Sequence, residues 1–232
     1  MKKILDHGYV ELIETWGSDE RIIEAARMSV DKGFISWEPY DKHPRGDLGL
    51  LSHLWNNKHA TPFEMAGLVI EVKAPLFVFR EWHRHRTQSY NEMSARYIPL
   101  PDENYLPTLD RCLTGANTPT ANKQAQGKGG LMYETAHLWL KELDALYDHA
   151  QQVYERGIEF GIPKELARLP VPVARYSRMR ASANLRNWLA FLTLRDHPAA
   201  QEEIRVYAQA VSELIAEHFP RTHALFEEGR QS

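Results

Sequence analysis

The side chains of residues 68–73, Leu-Val-Ile-Glu-Val-Lys, would alternate between the two faces of an extended strand. Leu68, Ile70 and Val72 share one face, whereas Val69, Glu71 and Lys73 lie on the opposite face. A period of two is the signature of a half-buried strand. Because the flanking segments repeat their apolar residues at helical spacing instead, helices must cover the buried face. We therefore predict an α+β fold that is mostly helical, around a central and largely antiparallel sheet.

The remaining elements are predicted from helical spacing together with residues that start or stop helices. Ser18 and Asn184 are suitable N-caps, and Pro75 and Pro198 stand at first helical positions. The predicted helices cover about 18–30, 47–57, 76–86, 131–160, 163–170, 184–195 and 198–219, and a second strand covers 173–180. Residues 99–128 contain several prolines and glycines without periodicity, which predicts a long surface loop.

The composition is that of an ordinary globular protein. The chain has 232 residues, of which 43% are hydrophobic, and its 28 Lys+Arg against 31 Asp+Glu give a formal net charge of −3. We expect one domain over residues 1–232. Because no apolar run approaches the roughly 20 residues of a membrane span and MKKILDHGYV is a poor secretory signal, we expect a cytoplasmic protein. The single cysteine, Cys112, fits a reducing compartment and excludes an internal disulfide.

Residues 84–97, RHRTQSYNEMSARY, concentrate the side chains that carry chemistry. Three arginines, one histidine, two serines, an asparagine and a glutamate fall within 14 residues. Arginine presents a planar set of donors that matches phosphate or carboxylate oxygens. Asn91 and Glu92 add the acceptors that a base and a ribose need. This mixture indicates an anionic ligand such as a nucleotide; the alternative is a surface turn whose arginines are held by Glu81 and Glu92.

The spacing R-H-R-x-x-S-x-N-E-x-S-x-R-Y in this segment resembles the signature of the flavin-dependent thymidylate synthases. Further blocks that resemble the family occur in its order along the chain: HATPFE at 59–64, Ala167-Arg168 with Pro172, Asn184-Leu185-Arg186, and Leu194-Arg195. The resemblance covers most of the chain and implies the fold of that family.

The resemblance also implies an activity, which is the reductive methylation of dUMP to dTMP. FAD would be tightly bound and reduced by NADPH, and 5,10-methylenetetrahydrofolate would supply the one-carbon unit. The implied enzyme uses no metal and has neither nucleic acid nor membrane as a partner. It is a homotetramer whose active sites are shared between subunits.

Individual residues receive roles from the same resemblance. The flavin-binding roles fall on Thr61, Arg84, His85, Arg86, Glu92, Asn184, Arg186 and Ala190. The dUMP-binding roles fall on Glu81, Arg84, Glu92, Ser94, Ala95, Arg96, Arg168 and Arg195. Arg195 is the candidate catalytic residue, because a guanidinium at the uracil imide favours the ionised base. Met65 and Ala190 depart from the residues common in the family, and Glu81 stands where glutamine is also common.

Three other readings compete with this one. An arginine-rich nucleic-acid-binding module would use Arg84, Arg86, Arg96, Arg175, Arg178 and Arg180, but the chain has no net basic excess. A metal hydrolase needs three or four converging ligands, whereas His83 and His85 stand two apart on a predicted helix. Cys112 is a candidate nucleophile but lies in no matched block. No G-x-G-x-x-G or G-x-x-x-x-G-K-[ST] motif occurs, so side chains must hold the flavin.

Overall fold

The computed structural model describes residues 1–114 and 131–231 of the chain. The strands of this part are β1 (Lys2–Ile4), β2 (Gly8–Trp16), β3 (Gly67–Pro75), β4 (Ser89–Glu92) and β5 (Tyr176–Asn184). The α-helices are α1 (Asp19–Arg27), α2 (Gly46–Asn56), α3 (Leu76–Trp82), α4 (Leu109–Thr114), α5 (Tyr133–Glu159), α6 (Lys164–Ala167), α7 (Leu185–Arg195), α8 (Glu202–His218) and α9 (Pro220–Gln231). Two short 3₁₀ helices span Met28–Val30 and Thr61–Met65.

The strands form one antiparallel sheet in the order β1-β2-β3-β5-β4. The alternation predicted for residues 68–73 is present, whereas Gly67 and Pro75 at the two ends of β3 are buried beside buried neighbours. Leu68, Ile70 and Val72 are fully buried, whereas Glu71 and Lys73 are half-buried on the other face. Helices α3, α7 and α8 contact the sheet and supply much of the buried core. The predicted α+β class is therefore confirmed.

Aromatic packing fixes α3 and α7 against each other and against the sheet. The rings of Trp82 and Phe191 stack with their centroids 4.7 Å apart. Trp188, fully buried, donates its indole N–H to the backbone carbonyl of Leu68 at 3.0 Å. Because a buried indole N–H needs an acceptor, this bond also sets the orientation of α7 on β3. The C-terminal ends of α3 and α7 thereby lie side by side.

The helix predicted over 76–86 is shorter than expected, because α3 ends at Trp82. The hydroxyl of Tyr90 shares its single proton between the carbonyl oxygens of Trp82, at 3.1 Å, and His85, at 2.7 Å. These bonds hold the chain in a turn after α3, and it then returns as β4, a strand that was not predicted. His83 is packed, with its ring stacked on Phe79.

The strand predicted over 173–180 was placed too early, because β5 runs from Tyr176 to Asn184. Its register starts only after Arg175, whose N–H bonds back to Pro172 in a turn. The segment predicted as a loop contains α4, and its residues 115–128 lie outside the described part. Helix α8 begins at Glu202 rather than at Pro198, and Pro220 starts a separate helix, α9. The long helix predicted over 131–160 is confirmed as α5.

Asp19 joins two helices that are far apart in the sequence. Its buried carboxylate accepts the N–H groups of Arg221 at 2.8 Å and Thr222 at 3.2 Å, and the Thr222 hydroxyl at 2.6 Å. The first N–H groups of an α-helix lack partners within that helix. The side chain of the first residue of α1 therefore caps the start of α9.

A second buried carboxylate organises the segment before α2. Asp47 accepts two hydrogen bonds from the Arg27 guanidinium, at 2.5 and 3.1 Å, and one from the Tyr40 hydroxyl at 2.6 Å. It also accepts the N–H groups of Ile35 and Ser36. These donors hold the pKa of Asp47 below its ordinary value despite the burial that opposes ionisation. No helix in the described ranges is both long and apolar enough to cross a bilayer.

Candidate active site

The arginine-rich segment lies at the turn that joins α3 to β4. Arg84 and Arg86 are exposed, whereas His85 between them is half-buried. The Tyr90 hydroxyl holds the His85 carbonyl, as described above, so the turn is fixed from the inside. This arrangement leaves two guanidinium groups on the surface and turns one imidazole towards the core. It is the local geometry expected of a segment that binds an anion.

Arg195, the last residue of α7, reaches this turn. Its Nη1 donates to the Glu81 carboxylate at 2.6 Å, its Nη2 to the Glu81 carbonyl at 3.1 Å, and its Nε to His85 Nε2 at 3.0 Å. Because arginine has five N–H donors, these three bonds fix the guanidinium and leave two N–H groups for a ligand. The packing of α3 against α7 thus places the predicted catalytic residue beside Glu81 and His85.

His85 is neutral in this arrangement. Its pKa is lowered to about 4, first by burial and then by the positive charge of Arg195. Since Nε2 accepts from Arg195, the remaining ring proton must lie on Nδ1. The ring also meets Phe191 edge to face, with centroids 4.9 Å apart. His85 therefore orients Arg195 without adding a second positive charge.

A cleft of about 1030 Å³ opens in front of Arg195. We call it the arginine cleft, because Arg80, Arg84, Arg111 and Arg195 line it together with Glu81 and the connection from α7 to α8. Arg111 is paired with the buried carboxylate of Glu203, at 2.8 Å. Arg80 and Arg111 were not among the predicted site residues. The spacing of Arg80 four residues before Arg84 was the available signal for the first; no local signal pointed to Arg111.

A second cleft, of about 600 Å³, also lies along α7. We call it the aromatic cleft, because the rings of Trp55, Phe63 and Phe226 line it. Its polar wall includes Arg186, which pairs with Glu64 at 2.5 Å, and Arg230, which pairs with Asp196 at 2.7 Å. Ala190 and His59 also line it. Thr193 lines both clefts, so the two adjoin along α7.

Three of the predicted flavin residues line the two clefts: Arg84 lines the arginine cleft, and Arg186 and Ala190 line the aromatic cleft. Aromatic walls suit a fused ring, and exposed guanidinium groups suit phosphates. Asn184 caps α7 by accepting the Asn187 N–H at 3.0 Å, which leaves its amide N–H groups available. Thr61 is exposed at the start of its 3₁₀ helix, and Glu92 is half-buried on β4 opposite Met179. The predicted flavin residues that line neither cleft are Thr61, His85, Arg86, Glu92 and Asn184.

Four predicted dUMP-binding residues form a separate group. Ser94, Ala95 and Arg96 follow β4, and the Arg96 Nε lies 3.0 Å from the Glu165 carboxylate of α6. Arg168 donates to the Glu165 carbonyl at 3.3 Å, so it belongs to the same surface. None of the four lines the arginine cleft or the aromatic cleft. Within the described part of one chain, the predicted nucleotide site is therefore divided between two surfaces.

Comparison with known proteins decides which family has this arrangement. Residues 11–221 match the Thy1 family, described as thymidylate synthase complementing protein. The flavin-dependent thymidylate synthase of Thermus thermophilus is 38% identical over 225 residues, which cover 97% of this chain and 77% of that protein. That of Rickettsia bellii is 37% identical, over 98% of this chain and 78% of the relative. The chain belongs to the flavin-dependent thymidylate synthase family.

Solved structures agree with this membership. The crystal structure of the UMP/dUMP methylase PolB from Streptomyces cacaoi, bound with 5-Br dUMP, superposes with a TM-score of 0.82 at 31% identity. The alignment covers 98% of this chain and 97% of that one. The same methylase bound with 5-Br UMP gives a TM-score of 0.81 at 29% identity. The family resemblance read from residues 84–97 and the accompanying blocks is confirmed.

The competing readings find little support in this member of the flavin-dependent thymidylate synthase family. Arg175, one of the arginines of the nucleic-acid reading, is fully buried and bonded to Asn104, Gln151 and the Pro101 carbonyl. Burial raises the pKa of the Cys112 thiol, although the charge of Arg111 opposes the shift. The thiolate is the nucleophilic form, so this environment disfavours reactivity. Across the described ranges, no three His, Cys, Asp or Glu side chains are grouped to hold a metal ion.

Proposed function

We propose that this chain methylates dUMP to dTMP, with 5,10-methylenetetrahydrofolate as the one-carbon donor and NADPH as the reductant. A bound FAD would supply the redox chemistry by which hydride from NADPH completes the methyl group. The observation that carries the proposal is the fixed guanidinium of Arg195, which faces a nucleotide-sized cleft in a chain of this family. The structural neighbour named a UMP/dUMP methylase, seen with 5-Br dUMP, supports a uracil nucleotide as the substrate.

In this proposal Arg195 stabilises negative charge on the uracil ring. Three of its N–H groups are held by Glu81 and His85, so the remaining two are preorganised towards the cleft. Donors that are already oriented stabilise developing charge without reorganisation. Neutral His85 keeps Arg195 in place without adding a positive charge of its own. Ionisation of the uracil imide then activates the ring for attack on the one-carbon unit.

The flavin would be held where the two clefts meet. Arg84 and Arg86 would supply charged donors to its phosphates, and Arg186 and Asn184 would supply polar contacts beside Ala190. The walls of the aromatic cleft would exclude water from the ring system. Loss of flavin is therefore expected when the charged donors are removed.

The nucleotide site would be completed by a second copy of the chain. Ser94, Ala95, Arg96 and Arg168 bind the nucleotide in this proposal, yet they lie apart from the arginine cleft. Helix α5 also exposes large apolar side chains: Leu138 is 59% exposed, Trp139 49% and Leu146 58%. Contiguous exposed apolar residues are typical of an interface. We propose a homotetramer in the cytoplasm, with each active site assembled from more than one subunit.

A purified preparation tests the reaction directly. The protein should be yellow, should bleach when NADPH is added without oxygen, and should form dTMP only when dUMP and 5,10-methylenetetrahydrofolate are both present. Omission of each component in turn is the control. A colourless protein that cannot be loaded with FAD and forms no dTMP would overturn the proposal. Light scattering during gel filtration should give four times the 26.8 kDa chain mass; a monomer with full activity would refute the shared sites.

A further inference from the structure

Two arginines of the arginine cleft have no protein partner among residues 1–114 and 131–231. Arg195 is paired with Glu81, and Arg111 with Glu203. The side chains of Arg80 and Arg84, in contrast, make neither a hydrogen bond nor an ion pair in this part of the chain, and both are exposed. Because the whole chain has a formal net charge of −3, this local excess of positive charge is not a general property of the surface.

The positions of these two arginines direct them to the same place. Arg80 lies in the last turn of α3, and Arg84 follows four residues later, where its N–H still bonds to the Glu81 carbonyl at 3.3 Å. Arg84 lies beyond the end of α3, so the common feature of the two side chains is the arginine cleft, which both line. Two like charges in one cleft repel each other when no anion lies between them.

We propose that Arg80 and Arg84 together form a clamp for a phosphate monoester, and that Arg80 is a further binding residue of this site. The inference rests on the proposed function and extends it to a residue with no assigned role. Two guanidinium groups match the charge of a phosphate monoester, which is about −1.5 to −2 at neutral pH, and each offers paired N–H donors to its oxygens. The 5′-phosphate of dUMP and the 2′-phosphate of NADPH both have this chemistry.

The plainer role for Arg80 is electrostatic. A cation in the last turn of a helix interacts favourably with the helix dipole. That role requires only a positive charge at the end of α3 and makes no distinction between ligands with and without a phosphate. Discrimination between such ligands is therefore the decisive measurement.

The experiment uses FAD-loaded protein and the variants Arg80→Gln and Arg80→Lys, with Arg21→Gln as the matched control. Arg21 is an exposed arginine of α1 that pairs with Glu24 outside both clefts. Binding of dUMP is compared with binding of deoxyuridine, which lacks the phosphate, and turnover with NADPH is compared with turnover with NADH. Thermal melting of each variant checks that the fold is kept.

We expect Arg80→Gln to weaken dUMP binding by about 10- to 100-fold, the loss of one charge-assisted contact, and to leave deoxyuridine binding unchanged. The dUMP affinity of Arg80→Lys should lie between those of Arg80→Gln and the wild type, since lysine keeps the charge but loses the planar donors. If NADPH loses its advantage over NADH instead, the clamp holds the phosphate of the reductant. The clamp is refuted if the preference of Arg80→Gln for dUMP over deoxyuridine, and for NADPH over NADH, equals that of Arg21→Gln. It is also refuted if deoxyuridine binding weakens as much as dUMP binding does. Wild-type protein that binds neither dUMP nor NADPH also refutes it, whereas protein that binds dUMP without methylating it refutes the proposed reaction alone.

Discussion

Replacement of Arg195 tests the chemistry of the site most directly. Arg195→Ala removes both N–H groups that face the cleft, together with the charge that would stabilise the ionised uracil. Loss of one preorganised donor at an oxyanion-type site costs about 10²- to 10³-fold in kcat. Because two donors and the charge disappear together, we expect dTMP formation to fall by at least about 10³-fold. Arg195→Lys should recover little, since lysine cannot reproduce the planar fork.

The contacts of Arg195 also predict what the substitution leaves intact. Its partner Glu81 is partly exposed, so water can solvate the carboxylate, and the stability loss should stay within about 1 kcal/mol. The protein should therefore remain folded and yellow. The pKa of His85, now about 4, should rise in Arg195→Ala because the nearby positive charge is removed, but it should stay below its ordinary value because burial remains.

Two measurements check this reasoning. Steady-state dTMP formation and dUMP titration of the flavin spectrum report on the cleft, and histidine NMR across pH reports on His85. Arg205→Gln, an exchange of an arginine that bonds to the Pro198 carbonyl and lines neither cleft, is the control. Near-normal turnover in Arg195→Ala would show that Arg195 is a helix-end residue without a role in the reaction. An unchanged His85 pKa would refute the electrostatic link between the two residues.

Three further outcomes are expected. Arg84→Ala or Arg86→Ala should lose FAD on gel filtration, because each removes a charged donor from an anionic cofactor; retention in both would remove them from the flavin site. Cys112→Ala should keep substantial activity in the dTMP assay, since burial disfavours the thiolate; an inactive but folded variant would contradict this. Asp47→Asn should lose about 3 kcal/mol in urea unfolding, because it breaks a buried ion pair, against about 0–1 kcal/mol for the exposed pair lost in Glu24→Gln; equal losses would refute it. Because the folded pKa of Asp47 is lowered, the stabilisation holds at neutral pH and disappears as pH falls through that pKa.

The elements predicted correctly are those whose signals are local. The alternation of residues 68–73, the periodicity of residues 131–160 and the N-cap Asn184 each depend on neighbours within a few positions. The motif of residues 84–97 identified the family for the same reason, since its spacing is contained in one stretch of sequence. Local patterns therefore predicted the fold class and the family together.

What the sequence did not predict depends on distant partners. Strand β4 exists because residues 89–92 pair with β5, about 90 positions later, and their own pattern is too short to indicate a strand. The bond from Arg195 to Glu81 spans 114 positions, so their contact follows only from the packing of α3 on α7. The division of the predicted nucleotide residues between two surfaces was likewise invisible in a linear motif. Only three-dimensional packing separates Arg96 from Arg84.

The cap that Asp19 provides for α9 has a consequence for when the protein becomes able to hold a ligand. The two bonded residues, Asp19 and Thr222, stand 203 positions apart. At a synthesis rate of about 5–20 residues per second, Thr222 is therefore added roughly 10–40 s after Asp19. Phe226 and Arg230, which form one wall of the aromatic cleft, arrive later still. The complete wall of that cleft is therefore available to a ligand only after α9 has been translated.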